Sequence, residues 1–108
     1  MARALEEKGL LGKVHISGQD AELSACQRII AGTQSMTVYK PIEAIAYKAA
    51  GIAVRLADDD DFQDLHMSVN NGKKMVPALL LPAMIVNRET IRLTVVADDY
   101  LKENEIFE

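Results

Sequence analysis

Tryptophan is absent from this 108-residue chain, and phenylalanine and tyrosine bring the aromatic share to only 5%. Sites for sugars and nucleobases usually rest on aromatic faces, so such a site built from these residues alone is partial. The single cysteine, Cys26, excludes an internal disulfide and a cysteine-rich zinc site. Basic residues are outnumbered, twelve Lys and Arg against sixteen Asp and Glu, for a net charge of −4. That balance supplies no basic face, and no nucleic-acid partner is expected. No apolar run approaches the ~18 residues of a membrane span. The first residues, MARALEEKGL, lack the apolar core of a secretory signal. Internal repeats and low-complexity linkers are also missing. What remains is 49% hydrophobic and 26% charged, the balance of an ordinary globular domain.

Periodicity divides the chain into short elements. Residues 2–10 read as a helix stopped by Gly9 at the C′ position. Lys13–Ser17 (KVHIS) reads as a strand with Val14 and Ile16 on one face, followed by the turn and cap residues Ser17, Gly18, Gln19 and Asp20. A helix is expected over 21–31, with Leu23, Cys26, Ile29 and Ile30 at helical spacing, Asp20 as its N-cap and Gly32 at its end. Residues 36–40 (MTVYK) give a second strand. Pro41 fits the first helical position of a long helix reaching Ala57. Its apolar stripe is Ile42, Ile45, Ala46, Ala49, Ile52, Ala53 and Leu56. After an acidic loop, Met67–Val69 and Val76–Leu81 read as strands around Asn70, Asn71 and Gly72, with Pro77 and Pro82 demoting the second to an edge. Asn87 caps a last helix over 88–97 that uses Ile91 and Val95, and the tail from Asp98 has no pattern. The order α-β-α-β-α-β-β-α is that of a layered α/β protein. Its sheet is incomplete, because only 13–17 and 36–40 have the character of buried parallel strands, and two such strands do not make a stable domain.

The candidate chemistry lies at strand ends. Asp20 follows a strand and opens a helix, where an open parallel sheet binds ligands. Its carboxylate is read either as a helix cap or as an acceptor for two hydroxyls of a polyol. Lys40 closes the next strand. It is read either as a solvated lysine at a helix start or as a donor to a hydroxyl or a carboxylate near Asp20; a cation beside a helix N-terminus is disfavoured, which favours a compensating partner. His15 and His66 have no metal-ligand spacing and read as solvated or locally bonded. Cys26 lies on the apolar face of its helix as a buried thiol. The run from Asp58 to Asp61 is a solvated loop: an EF-hand starting at Asp58 needs Gly and Glu where Gln63 and Val69 stand. Glycine-rich phosphate loops, G-x-S-x-G and H-E-x-x-H are missing, no cofactor is expected, and nothing assembles an acid, a base and a nucleophile.

The stretch Val14–Ile42, VHISGQDAELSACQRIIAGTQSMTVYKPI, closely resembles the C-terminal part of D-xylose-binding proteins, the sugar-binding components of ABC transporters in the ribose/galactose-binding type I periplasmic-binding-protein superfamily. The cores SGQDAEL, CQRIIAGTQSMTVYKPI and VNNGKKMVPALLL follow the family's order, and the likeness covers essentially the whole chain. The resemblance implies two α/β lobes joined by a hinge, with the sugar clamped between them. Residues 1–36 would come from one lobe, the chain would cross near 37–40, and 41–108 would belong to the other lobe and its C-terminal extension. It implies that Asp20 and Lys40 contact the sugar, with Gln19 a weaker candidate. It also implies that the 108 residues are a C-terminal piece, since family members are longer and supply stacking aromatics from their earlier part.

Two functions are implied by the resemblance. One is a non-catalytic binding module for D-xylose or a related pentose, working with the missing N-terminal part and an ABC permease. The other is an interaction module that acts on a membrane sensor kinase without binding sugar alone. The implied compartment is extracytoplasmic, although a chain starting as this one does would remain in the cytoplasm. Open strand edges and an uncovered helix stripe point to a homo-oligomer.

Overall fold

The computed structural model describes residues 1–107. Its elements run α1 (Ala2–Glu7), β1 (Ser17–Gln19), α2 (Leu23–Ile30), β2 (Met36–Tyr39), α3 (Ile42–Ala57), β3 (Ser68–Asn70), β4 (Met75–Pro77), β5 (Met84–Val86), a 3₁₀ turn (Ile91–Leu93) and α4 (Glu103–Phe107). This is a mixed α/β chain with partial sheets. It divides into two units, Met1–Lys40 with the chain from Ala83 onward, and Pro41–Pro82.

The first unit is organised by β2. Strand β1 pairs with it in parallel, and β5 pairs with its other edge antiparallel, giving the order β1-β2-β5. The pleat sends Thr37 and Tyr39 to one face, where both are buried. On that face Ala21, Cys26, Tyr39, Val86, Ile91, Val95 and Ile106 form the core. Complete burial of an aliphatic side chain such as Val86 or Ile91 stabilises by about 1.5–3 kcal/mol before chain entropy is counted. The opposite face is open, with Ile85 exposed. Helix α2 buries Ala25, Cys26 and Ile29. Gly32 ends it at φ +79°, with the amides of Gly32 and Thr33 donating to the carbonyls of Ile29 and Arg28. That is the 5→2 and 6→1 pattern of a Schellman cap, and Gly9 closes α1 in the same way.

Several expectations need correcting. The first strand is Ser17–Gln19 instead of Lys13–Ser17. Its partner is fixed by the register Ser17 to Met36, and the ladder opens where the Ser35 amide donates to the Ile16 carbonyl, so residues before Ile16 have no strand opposite them. Val14 is consequently exposed while Ile16 is buried. Asp20 is not the cap of α2. Glu22 holds that position, without a side-chain hydrogen bond. Pro41 is the N-cap of α3 and not its first helical residue.

Met84–Val86, where no strand was expected, pairs with β2. Asn87 does cap the next segment, its Oδ1 accepting from the amides of Glu89 and Thr90 at 2.9 Å each. The expected helix 88–97 nevertheless contracts to the 3₁₀ turn. The β-branched run Thr94-Val95-Val96 resists helix, and the Thr94 hydroxyl donates back to the Thr90 carbonyl at 2.8 Å. Ile91 and Val95 are buried all the same. The tail without a pattern folds as α4, which buries Ile106.

In the second unit α3 keeps its expected bounds and buries none of its residues. Strands β3 and β4 form an antiparallel hairpin. At its tip Gly72 takes φ +87°, and the Asn70 and Asn71 side chains accept from the amides of Gly72, Lys73 and Lys74. Arg55 gathers the acidic loop: its Nε lies 2.6 Å from Asp60 Oδ2, it also pairs with Asp64, and its guanidinium lies 4.7 Å from the centre of the Phe62 ring. Hydrogen bonds from Arg55 hold the carboxyls of Asp60 and Asp64 below their ordinary value and push the guanidinium higher still. No helix among the described residues is long and apolar enough to cross a membrane.

Gly18 is required where it stands. It faces Thr37 in the parallel register, and a Cβ there would lie 2.6 Å from Gln34 Nε2 and 3.3 Å from Thr37 Oγ1. Gln34 is buried and held at both ends, accepting from Arg28 Nε and donating to the Met36 carbonyl at 3.0 Å each. Gly18→Ala should therefore cost about 1–3 kcal/mol, read as a lowered urea midpoint. An unchanged midpoint would show that Gln34 swings aside freely.

Candidate functional site

The parallel strands β1 and β2 end side by side, and the chain leaves each through a polar residue. Gln19 is opposite Val38, and the Asp20 amide adds one more rung by donating to the Val38 carbonyl at 2.7 Å. The backbone then turns sharply. Asp20 has φ +75° and Ala21 φ +49°, both in the left-handed region without being glycine. Such a residue costs roughly 1–3 kcal/mol and persists only where its surroundings hold it; aspartate tolerates the region better than alanine. From there α2 starts at Leu23, while β2 runs out into Lys40 just before Pro41.

This turn brings the predicted pair together. Lys40 Nζ lies 2.7 Å from Asp20 Oδ1. Of the two readings of Lys40, the partnered one matches this contact. The side chains remain 41% and 61% exposed, which makes this an ion pair open to solvent rather than a structural one. Gln19 is exposed on the edge strand beside them. Of the two readings of the Asp20 carboxylate, the cap fails: its side chain goes to Lys40.

The other singled-out residues lie elsewhere. His15 is exposed, with Nδ1 3.0 Å from Ser35 Oγ, and His66 is exposed. Among the described residues no three His, Cys, Asp or Glu side chains are grouped to hold a metal. Cys26 is buried, and burial pushes its thiol up, away from the reactive thiolate.

Two residues at this site escaped the sequence reading. Thr37 is fully buried in β2, with its Oγ1 accepting from the Ala21 amide at 3.3 Å. Tyr100 comes from the tail, and its hydroxyl donates to the Asp20 carbonyl at 3.4 Å. Its ring lies 5.0 Å, centre to centre, from that of Tyr39. A hydroxyl inside the apolar strand MTVY was the one signal available for Thr37; nothing in the local pattern marks Tyr100.

An acceptor carboxylate and a donor ammonium stand side by side at the carboxyl ends of parallel strands, where open α/β sheets bind polar ligands. Residues 1–61 match the family described as a periplasmic binding protein domain, and the chain belongs to that family. It is homologous to D-xylose-binding periplasmic proteins. It is 49% identical over 104 residues to the one from Escherichia coli K12 and 47% identical over 105 residues to the one from Haemophilus influenzae. These alignments cover 96% and 97% of this chain but only 31% of each relative, so the chain spans about a third of their length. Among solved structures, a carbohydrate-transporter solute-binding protein from Chloroflexus aurantiacus, in complex with D-glucose, is 36% identical and superimposes with a TM-score of 0.75. The match covers 84% of this chain and 26% of that one. The fold is accordingly a partial periplasmic-binding-protein fold.

Exposed ion pairs contribute only about 0.2–1 kcal/mol. Asparagine accepts the left-handed backbone as aspartate does. Asp20→Asn should therefore shift unfolding stability by less than about 1 kcal/mol in urea titrations. A loss of several kcal/mol would mean that the pair serves the fold and not a ligand.

Proposed function

We propose that this chain is a non-catalytic carbohydrate-binding module of the D-xylose type, in which Asp20 and Lys40 hold sugar hydroxyls and Gln19 contributes a lesser contact. The observation that carries the reading is the convergence of Asp20 and Lys40 at the ends of β1 and β2, in a chain homologous to D-xylose-binding proteins. A sugar hydroxyl donates and accepts at once. The carboxylate takes two such donors and the ammonium offers three protons, so neighbouring hydroxyls of one pentose satisfy both groups. Because the pair is exposed, drawing it apart costs little.

The rest of a longer binding protein completes the clamp in this reading, and an ABC permease receives the sugar on the extracytoplasmic side of a membrane. The chain crosses between lobes near residues 37–40. The division between Lys40 and Pro41 supports that crossing; the grouping of the chain from Ala83 with the first unit favours 41–82, in place of the expected 41–108, as the second lobe's share.

Without the opposite side of the clamp, the isolated chain should bind D-xylose more weakly than a millimolar dissociation constant, about −4 kcal/mol. In an NMR titration the responding resonances should be those of Gln19, Asp20 and Lys40, and Asp20→Asn or Lys40→Met should abolish the response. No response at these residues under high D-xylose overturns the site; tight one-to-one binding by calorimetry overturns the incomplete clamp.

A second reading, in which the chain acts through protein contacts such as those with a membrane sensor kinase, is favoured by α3. Ile42, Ile45 and Leu56 stand exposed along one helix. Covering ~400 Å² of apolar surface is worth on the order of 10 kcal/mol before association costs. For the chain by itself the occupant we propose is a second copy, related by a two-fold axis. Light scattering during size exclusion should report a dimer. A well-behaved 11.9 kDa monomer would refute the self-association.

A further inference from the structure

Asp20 and Ala21 are two consecutive left-handed residues, neither of them glycine. Every main-chain polar atom of the pair has a partner. The Asp20 amide donates to the Val38 carbonyl at 2.7 Å, and the Ala21 amide donates to Thr37 Oγ1 at 3.3 Å. The Asp20 carbonyl accepts from the Tyr100 hydroxyl at 3.4 Å, and the Ala21 carbonyl from the Cys26 thiol at 3.7 Å. Ala21 is wholly buried. The turn is thus held on all sides, and the carboxylate of Asp20 is the one polar group it presents outward, toward Lys40.

We infer that Thr37 and Tyr100 are positioning residues for the site carboxylate: together they hold the left-handed turn that aims Asp20 at Lys40 and at a sugar hydroxyl. The inference rests on the proposed sugar site, but its structural half stands without sugar. Thr37 acts from beneath. It is buried in the central strand, opposite Gly18, so its hydroxyl has a fixed place. Tyr100 acts from the C-terminal segment. Its own amide and that of Leu101 donate to the Val95 carbonyl at 3.0 Å each, and its ring lies against the buried Tyr39. The role goes to these two because the turn's remaining contacts come from the backbone of Val38 and from a weak thiol donor.

The test uses the isotope-labelled 108-residue chain with Thr37→Val, Thr37→Ser and Tyr100→Phe. Two signals are followed: the Asp20 carboxyl carbon and Ala21 amide resonances without ligand, and the midpoint of a D-xylose titration. Thr37→Val and Tyr100→Phe should each move the Asp20 and Ala21 resonances while those of Leu5 in α1 and Ile29 in α2 stay in place. Each should raise the titration midpoint about threefold or more, the worth of one neutral hydrogen bond. Thr37→Ser, which keeps the acceptor, should restore both signals. If Thr37→Val does not fold, Tyr100→Phe decides. Asp20 resonances unmoved in a folded Tyr100→Phe chain, or Thr37→Ser as damaging as Thr37→Val, would overturn the assignment. A parent chain with no D-xylose response brings down the sugar reading instead, and the ligand-free resonances then decide the positioning role alone.

Discussion

Three main-chain steps, Ser17 beside Met36, Gly18 beside Thr37 and Gln19 beside Val38, set the place of everything else in the first unit. They bring the ends of two parallel strands to one edge, so Asp20 and Lys40 leave the sheet together. They press Gly18 against Gln34 and Thr37, where a side chain does not fit. A slip of one residue would reverse the faces of β1 and carry Asp20 away from Lys40. On the other edge of β2, β5 brings Val86 onto the face that α2 covers, and the core closes there. The meeting of Asp20 with Lys40 and the packing of this unit therefore depend on one strand pairing.

How much of this was legible depends on where each signal resides. The bounds of α3, the stop of α2 at Gly32 and the hairpin turn at Asn70-Asn71-Gly72 are local properties of the chain, and they read correctly. Strand β1 was misplaced because its position is decided by a partner strand that begins only at Met36, not by the apolar alternation at Val14 and Ile16. The helix expected after Asn87 had a sound cap but a β-branched interior, and the interior won. The convergence of Asp20 and Lys40 was expected from their strand-end placement and from the resemblance, and the two side chains do meet. The reading of Asp20 as a cap failed because a left-handed residue two positions ahead of the true N-cap cannot reach the first turn of α2. Thr37 and Tyr100 act on backbone atoms distant in sequence, which no periodicity reports.

The two units differ in how their apolar residues are used. In the first, alternation and helical spacing end in burial. In the second, an equally regular stripe on α3 ends in exposure, and the acidic loop is ordered by Arg55 and Phe62 rather than by a core. A sequence pattern states which face of a helix seeks cover; what supplies the cover is a separate matter. With the chain spanning 31% of its relatives' length, that distinction is the one most relevant to α3.

Cys26 is the chain's single thiol, and it is wholly enclosed in the first unit, behind the turn that carries Asp20. A thiol reagent reaches it only when that unit opens. The rate of labelling is therefore a clock for local unfolding of the first unit. Because the same sulfur touches the Ala21 carbonyl, the clock stands within one contact of the strained turn.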